Sequence, residues 1–180
     1  GVQTCALPIF MYPSSGVGSA NHLAVVLLSR LAKIEPVHVP YKGTAQGIAD
    51  LVAGQVQFSL NNPLTSLPLA RAGKLRLLAT TGQKRASYLP NLPTVMEAGI
   101  PEFVALAWHG IYAPAGTPQA AIERLGTETV KVLRTPDIRE RIVRMGYEPT
   151  GSTPEELGRF LREETELWTR VIREGNIRIE

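Results

Sequence analysis

Three times between Met11 and Ala72 the chain passes from a short apolar segment through a Gly-, Ser-, Thr- or Asn-rich loop into a helical pattern. The first loop is PSSGVGS, Pro13 to Ser19. It leads into NHLAVVLLSRLAKI, where Leu23, Val26, Leu27, Leu31 and Ile34 recur at helical spacing. Ser19 or Ser15 can cap that helix. VHVPY follows, with Val37, Val39 and Tyr41 alternating with His38 and Pro40 at the period of a strand. The loop KGTA then precedes a helix over roughly Gln46 to Ala53, with Ile48, Leu51 and Val52 inward and Gly54 as its stop. QVQFSL, Gln55 to Leu60, reads as the next strand. Asn61 and Asn62 end it, and PLTSLPLARAG gives a short helix that Pro63 and Pro68 confine to about Ser66 to Ala72. KLRLLATT, Lys74 to Thr81, reads as a strand again. Strands alternating with helices at this spacing imply crossover connections and a parallel sheet, so the fold class is α/β with parallel-type sheets flanked by helices.

Beyond Thr81 the punctuation changes. GQKRASYLPNLPTVMEAGIPEF is a Pro- and Gly-rich excursion with one helical turn expected at Val95 to Ala98. FVALAWHGIYAP, Phe103 to Pro114, reads as a strand long enough to pass between two domains. The remainder is mostly helical. Thr117-Pro118, Thr135-Pro136 and Thr153-Pro154 each set a capping threonine before a proline at the first helical position, and Thr153 with Glu156 has capping-box spacing. YEPTG between the last two helices is an edge strand or a turn. Hydrophobic residues make up 44% and charged residues 19% of the 180, which suits a globular protein with a sizeable core. No apolar run approaches the roughly 20 residues of a membrane span, so direct membrane insertion is not expected. The net charge of +3 is too mild to point to nucleic acid, and the arginines from Arg124 to Arg144 are interleaved with glutamates as on a solvated helical face. The single cysteine, Cys5, can form no intrachain disulfide and is compatible with cytosol or periplasm.

In an open parallel sheet the loops SSGVGS, YKGTA and NNPLTS lie side by side at the carboxyl ends of the strands, where ligands bind. Each presents backbone N–H groups and small hydroxyls at a helix start, a setting that favours an anion. Glycines 16, 18 and 43 would let the backbone approach closely. Taken singly, each loop is explained as a good helix cap; three in register point to a small anionic ligand. A nucleotide is disfavoured, since GVGSAN lacks the GxxxxGK[ST] pattern and SSGVGS is not GxGxxG. The histidines, His22, His38 and His109, have no HxH or HExxH spacing, so no metal site is supported. There is no G-x-S-x-G elbow and no carboxylate pair near the loops. His22, just inside the first helix, reads as structural or solvated, and His109 beside Trp108 as pocket lining or part of the crossing strand.

Four segments carry a resemblance: SSGVGSANHLA, VPYKGTAQGIADLVAGQVQ, RAGKLRLLATTGQKRASYLPNLPTVMEAGIPEF and WHGIYAPAGTP. In that order and spacing they resemble the Bug/TctC family, the extracytoplasmic solute-binding receptors of tripartite tricarboxylate transporters, from Met11 to the C-terminus. The resemblance implies a two-domain clamshell similar to periplasmic binding proteins. It implies a periplasmic protein, monomeric when full length, that captures a small organic acid without catalysis or cofactor and hands it to membrane transporter subunits. Ligand carboxylates in such proteins are held largely by backbone amides, small hydroxyls and bridging water. The pattern carries one wall of the cleft onto Ser15, Gly16, Val17, Gly18 and Ser19, onto Tyr41, Gly43, Thr44, Ala45 and Gln46, and onto Asn61 and Asn62. Family members often have an aspartate where Asn61 stands, and Gly-Pro-Ala in place of Ala45-Gln46-Gly47; both departures bear on which ligand is taken.

The resemblance also divides the chain. Residues 11–104 correspond to most of the second domain, and residues 105–180 to a crossing strand and a C-terminal helical segment of the first. GVQTCALPI at the start resembles the translation of a sequencing-library adapter, which makes residues 1–10 an artefact ahead of a truncated gene. The competing reading is a short first strand, ALPIFMY. On the adapter reading the signal peptide and the body of the first domain are missing, and helix faces near Ile122, Leu125, Val130 and Leu133 lack their cover. Two other functions stay open at this point: a ligand-sensing module for a receptor, and an α/β enzyme acting on a small anion.

Overall fold

The structure, a computed structural model, describes residues 10–178. The adapter-like residues 1–9 lie outside the described residues, so both readings of them stay expectations. In chain order the elements are β1 (Met11–Ser14), α1 (Ala20–Ala32), β2 (Val37–Pro40), α2 (Thr44–Val52), α3 (Pro63–Arg71), α4 (Gln119–Arg134), α5 (Pro136–Arg144) and α6 (Pro154–Glu174).

β1 and β2 pair in parallel, with Met11 opposite Val37, Tyr12 opposite His38, Pro13 opposite Val39 and Ser14 opposite Pro40. A parallel pair cannot close through a tight turn, and α1 supplies the crossover. Its apolar residues recur at helical spacing, so one stripe goes inward: Leu23, Ala24, Val25 and Leu27 are buried. The core gathers Ala24 and Leu27 of α1 with Phe103, Ala105 and Val171, and Leu31, Leu60, Val95, Ile100, Leu167 and Trp168 pack against that cluster. The last helix therefore lies on the first, and an Arg30–Glu174 ion pair joins their outer edges. α4 and α5 are also amphipathic but bury no residue; Leu125 is 53% and Val132 52% exposed.

The sheet is narrower than the sequence predicts. Gln55–Leu60, Lys74–Thr81 and Phe103–Pro114, expected as strands, run without a ladder. Gln57 N–H donates to the Met11 carbonyl at 3.0 Å, but Met11 N–H donates to the Gln57 side-chain Oε1 at 2.9 Å, so the pairing stops there. Thr80 forms an isolated parallel bridge with Thr94, and Ala105 N–H reaches the Thr81 carbonyl at 3.0 Å. A strand is held by successive ladder bonds, whereas these segments have single ones. Alternating side chains reveal an extended segment, not whether a neighbour lies beside it. Among the described residues no strand flanks Ile111 and Tyr112, which are 67% and 63% exposed.

Helix boundaries differ for local reasons. α2 starts at Thr44 rather than Gln46, and Val52, expected inward, is 39% exposed because the helix ends there. α3 starts at Pro63 rather than Ser66: Pro63 takes the first turn, where its missing N–H costs nothing, and Asn62 caps it. Pro68 does not limit this helix; it lies inside it. Of the three threonine caps only Thr153 acts as expected, with both halves of the capping box made at 2.9 and 3.2 Å. Pro118 itself takes the N-cap position of α4 while Thr117 donates to the Pro114 carbonyl, and Thr135 Oγ1 turns back to the Lys131 carbonyl. The turn at residues 95–98 is present. Thr94 and Glu97 cap each other's N–H groups there at 2.8 and 3.0 Å, a T-x-x-E signal that the sequence contains.

Gly47 seats α2 on β1. A Cβ at this position would stand 2.7 Å from Pro13 Cβ and 3.4 Å from both Pro13 Cγ and Tyr41 Cδ2. Gly47→Ala is expected to lower the unfolding free energy by about 1–3 kcal/mol despite alanine's better helix propensity. Chemical denaturation measures this, and an unchanged midpoint would contradict the packing.

Candidate functional site

At the carboxyl ends of β1 and β2 the three loops converge on a narrow cleft lined by Pro13, Ser14, Asn21, Thr44, Gly47 and Asn61. All six are uncharged. Two of them, Thr44 and Asn61, are among the residues expected from sequence; Pro13, Ser14, Asn21 and Gly47 are not.

The first loop turns through Gly16 (φ 128°) and Gly18 (φ 78°), in the region that glycine alone enters freely. Asn21, on the first turn of α1, is its clamp. Its Oδ1 lies 2.8 Å from Ser19 Oγ, 3.2 Å from Ser15 Oγ and 3.4 Å from Ser15 N. Ser19 is the N-cap residue, yet its hydroxyl makes no cap bond and instead lies between Asn21 Oδ1 and the Gly16 carbonyl, at 2.6 Å from the latter. The serine hydroxyls expected to meet a ligand are thus used to fold the loop. The signal for Asn21 was legible: an amide two residues past an N-cap serine can bond back to the loop. Gly16 N–H goes to Ser14 Oγ (3.1 Å) and Gly18 N–H to His22 Nδ1 (3.0 Å). Among the described residues, the N–H groups of Val17, Ala20 and Asn21 find no acceptor within the protein.

The second loop gives α2 an uncapped start. Gly43 is its N-cap with extended backbone (φ 170°) and open space around it, so the glycine is not required there. Among the described residues the N–H groups of Thr44, Ala45 and Gln46 also find no acceptor, and all three side chains are exposed. Tyr41 is not a free hydroxyl: it donates to Asp50 Oδ2 at 2.6 Å, which pins α2 and, with burial, raises its pKa. The third loop differs from the expectation of a third open helix start. Asn62 Oδ1 accepts from Leu64 N–H, its carbonyl from Thr65 and Ser66 N–H, and its Nδ2 donates to Tyr147 Oη at 2.5 Å. Asn62 is thereby occupied, and this loop offers the Asn61 side chain instead. Tyr147 in turn meets the edge of the exposed His109 ring, centroids 5.3 Å apart.

Beneath the first loop lies a stack of rings. His38 rests on Tyr12 (5.0 Å, 22°) and His22 on His38 (4.0 Å, 14°), with Ser14 Oγ 2.5 Å from His38 Nε2. Burial, aided by the neighbouring His22, pulls His38 down to about 4, and burial lowers His22 as well. A histidine with a lowered folded pKa binds fewer protons folded than unfolded, so stability rises with pH. Its contribution is complete above the unfolded value, about 6.5, and is lost as pH falls toward about 4. The melting temperature is expected to be level above neutrality and to fall through that window, less steeply in His38→Gln. Identical profiles for the two proteins would contradict the assignment.

The chemistry on offer is hydrogen bonding to an anion by fixed N–H groups at two helix starts, without a cation in the cleft. Ser14 and His38 are a serine–histidine contact, but Ser14 is 2% exposed and already accepts Gly16 N–H, and among the described residues no carboxylate bonds to the imidazole. Among the described residues no group of three or more His, Cys, Asp or Glu side chains could hold a metal ion.

An α/β scaffold with loops gathered at strand ends offers a place for a ligand, and comparison supplies the family. The model of the TctC family, described as the tripartite tricarboxylate transporter family receptor, matches residues 8–177, and the chain belongs to this family. A protein of Pseudomonas sp. strain P51, described as a UPF0065 protein in the tcbD-tcbE intergenic region, is 38% identical over 162 residues, 89% of this chain and 48% of that one. An R. palustris protein solved with adipate superposes with a TM-score of 0.82 at 34% identity, covering 93% of this chain and 56% of that one. MatC of Rhodopseudomonas palustris with bound malate gives 0.73 at 31%, covering 91% and 56%. The periplasmic binding protein BugD gives 0.77 at 28%, covering 95% and 58%. The chain thus has part of the periplasmic-binding-protein fold and spans about half the length of these relatives.

Proposed function

We propose that the protein is a periplasmic solute-binding receptor that captures a small organic acid for a tripartite transporter, with no catalytic step. The first loop, Thr44 to Gln46 and Asn61 form one wall of its cleft. The observation that carries this reading is the pair of uncapped helix starts, α1 and α2, whose open N–H groups flank a cleft with no charged lining. Bound adipate and malate in two structural relatives support a carboxylate as the anion. The division of the whole protein into a domain containing residues 11–104 and a returning segment 105–180 belongs to the same proposal, as do the membrane subunits as partners. Calorimetric titration with adipate and malate, with the acids recovered unchanged, tests it; turnover of either acid would favour an enzyme, and no binding by a panel of organic acids would reject it.

Asn61 bears on selectivity. Its amide can donate to one carboxylate oxygen of a ligand, whereas an aspartate there repels a second carboxylate. Asn61→Asp is expected to weaken dicarboxylates about tenfold relative to acids carrying an amine, the scale of one lost charged hydrogen bond. An unchanged ranking across such a panel would count against Asn61 as a cleft residue.

A further inference from the structure

We propose that His22 and His38 are positioning residues for the carboxylate loop: as neutral imidazoles they take up the Gly18 N–H directly and the Gly16 N–H by way of Ser14, and so leave the N–H groups of Val17, Ala20 and Asn21 to the ligand. The inference rests on the function proposed above, and it assigns roles to side chains that do not line the cleft.

The geometry runs from the sheet upward. Tyr12 and His38 lie opposite each other in the β1–β2 register, so their rings stack on the same face. His22, on the first turn of α1, packs against His38 with centroids 4.0 Å apart and lies 6.4 Å from the Tyr12 ring. Its Nδ1 then points at the Gly18 N–H, 3.0 Å away, and can accept only while it carries no proton. On the other side, Ser14 Oγ accepts Gly16 N–H, lies 3.0 Å from the Gly16 carbonyl, and meets His38 Nε2 at 2.5 Å. With its one proton given to the carbonyl, Ser14 receives a second hydrogen bond from His38 Nε2–H, so its hydroxyl donates once and accepts twice.

Protonation has a defined consequence. It turns His22 Nδ1 from acceptor to donor, facing another donor, and the Gly18 N–H is expelled. A charge on His38 would sit against the His22 ring. The groups that face the two rings are Tyr12 and Ser14 from β1, each ring itself, and the Gly18 N–H; Phe58 lies behind Tyr12. Asp50, the carboxylate that α2 brings towards β2, is bonded to Tyr41. Among the described residues no carboxylate, lysine or arginine bonds to either imidazole, so nothing nearby would stabilise the cation.

The choice of amide side chain provides the test. Asparagine can place its carbonyl near the Nδ1 position of histidine; glutamine reaches toward Nε2 instead. His22→Asn is therefore expected to hold adipate within about threefold of the parent, and His22→Gln to lose about tenfold or more, the scale of an unmade bond to a part-buried donor. Amide exchange at Gly18 reports the loop without any ligand: protected in the parent and in His22→Asn, fast in His22→Gln. In the parent, Gly18 protection is expected to drop from about pH 7.5 to about pH 5 while the Val25 amide in α1 stays protected. Equal behaviour of the Asn and Gln variants, or Gly18 protection indifferent to both His22 and pH, would overturn the proposal. If the parent binds no organic acid, the proposed function fails, and the exchange data alone decide the role of the histidines.

Discussion

Asn21→Asp is expected to fold at least as stably as the parent chain and to lose organic-acid binding by about 30- to 1000-fold. The two side chains are nearly isosteric, and an aspartate keeps the acceptor that holds the Ser15 and Ser19 hydroxyls at 3.2 and 2.8 Å. A negative charge on the first turn of α1, which contains no acidic residue, interacts favourably with the helix dipole by about 0.3–1 kcal/mol. The same charge faces the cleft. At an effective dielectric near 20 it repels a ligand carboxylate 4–8 Å away by roughly 2–4 kcal/mol, which is the stated loss in affinity. Thermal unfolding and calorimetry on one preparation separate the two effects. A variant that is stable and still binds with parental affinity would place the anion away from Asn21.

Phe103→Ala is expected to cost about 3–5 kcal/mol of folding stability, a large share of the roughly 5–15 kcal/mol that holds an ordinary domain folded. Phe103 is fully buried and joins Ala24 and Leu27 of α1 to Val171 of α6. The loss should therefore reach both ends of the chain: amides of α1 and of α6 exchange together once it is gone. Denaturant unfolding of the parent and Phe103→Leu controls the measurement, since leucine keeps much of the volume. A cost below about 1 kcal/mol for Phe103→Ala would show that α1 and α6 do not share a core.

Sequence and structure agree best where a signal is local. The apolar spacing of α1, the alternation of Val37, Val39 and Tyr41, and the Thr153–Glu156 box each concern neighbours in the chain, and each element is present. The sheet was over-read at Gln55–Leu60 and Lys74–Thr81 because pairing depends on a distant partner that alternation does not reveal. The site divides the same way. Thr44 and Asn61 follow from loop position alone. Asn21 and Ser14 line the cleft through side-chain bonds within the loop, and Asn62 is withdrawn from it by its bond to Tyr147, 85 residues away. His22 was read as structural or solvated; it is buried, and its partner is the loop itself.

Carboxylate binding at the helix starts of α1 and α2 underlies every functional conclusion above. Titration of the nitrogen-15-labelled protein with adipate, followed through its amide resonances, measures this most directly. The largest shifts are expected on Val17, Ala20, Asn21, Thr44, Ala45 and Gln46, saturating with one common affinity and disappearing in Asn21→Asp. Saturable shifts confined to α4, α5 or α6, or none at any adipate concentration, would contradict it.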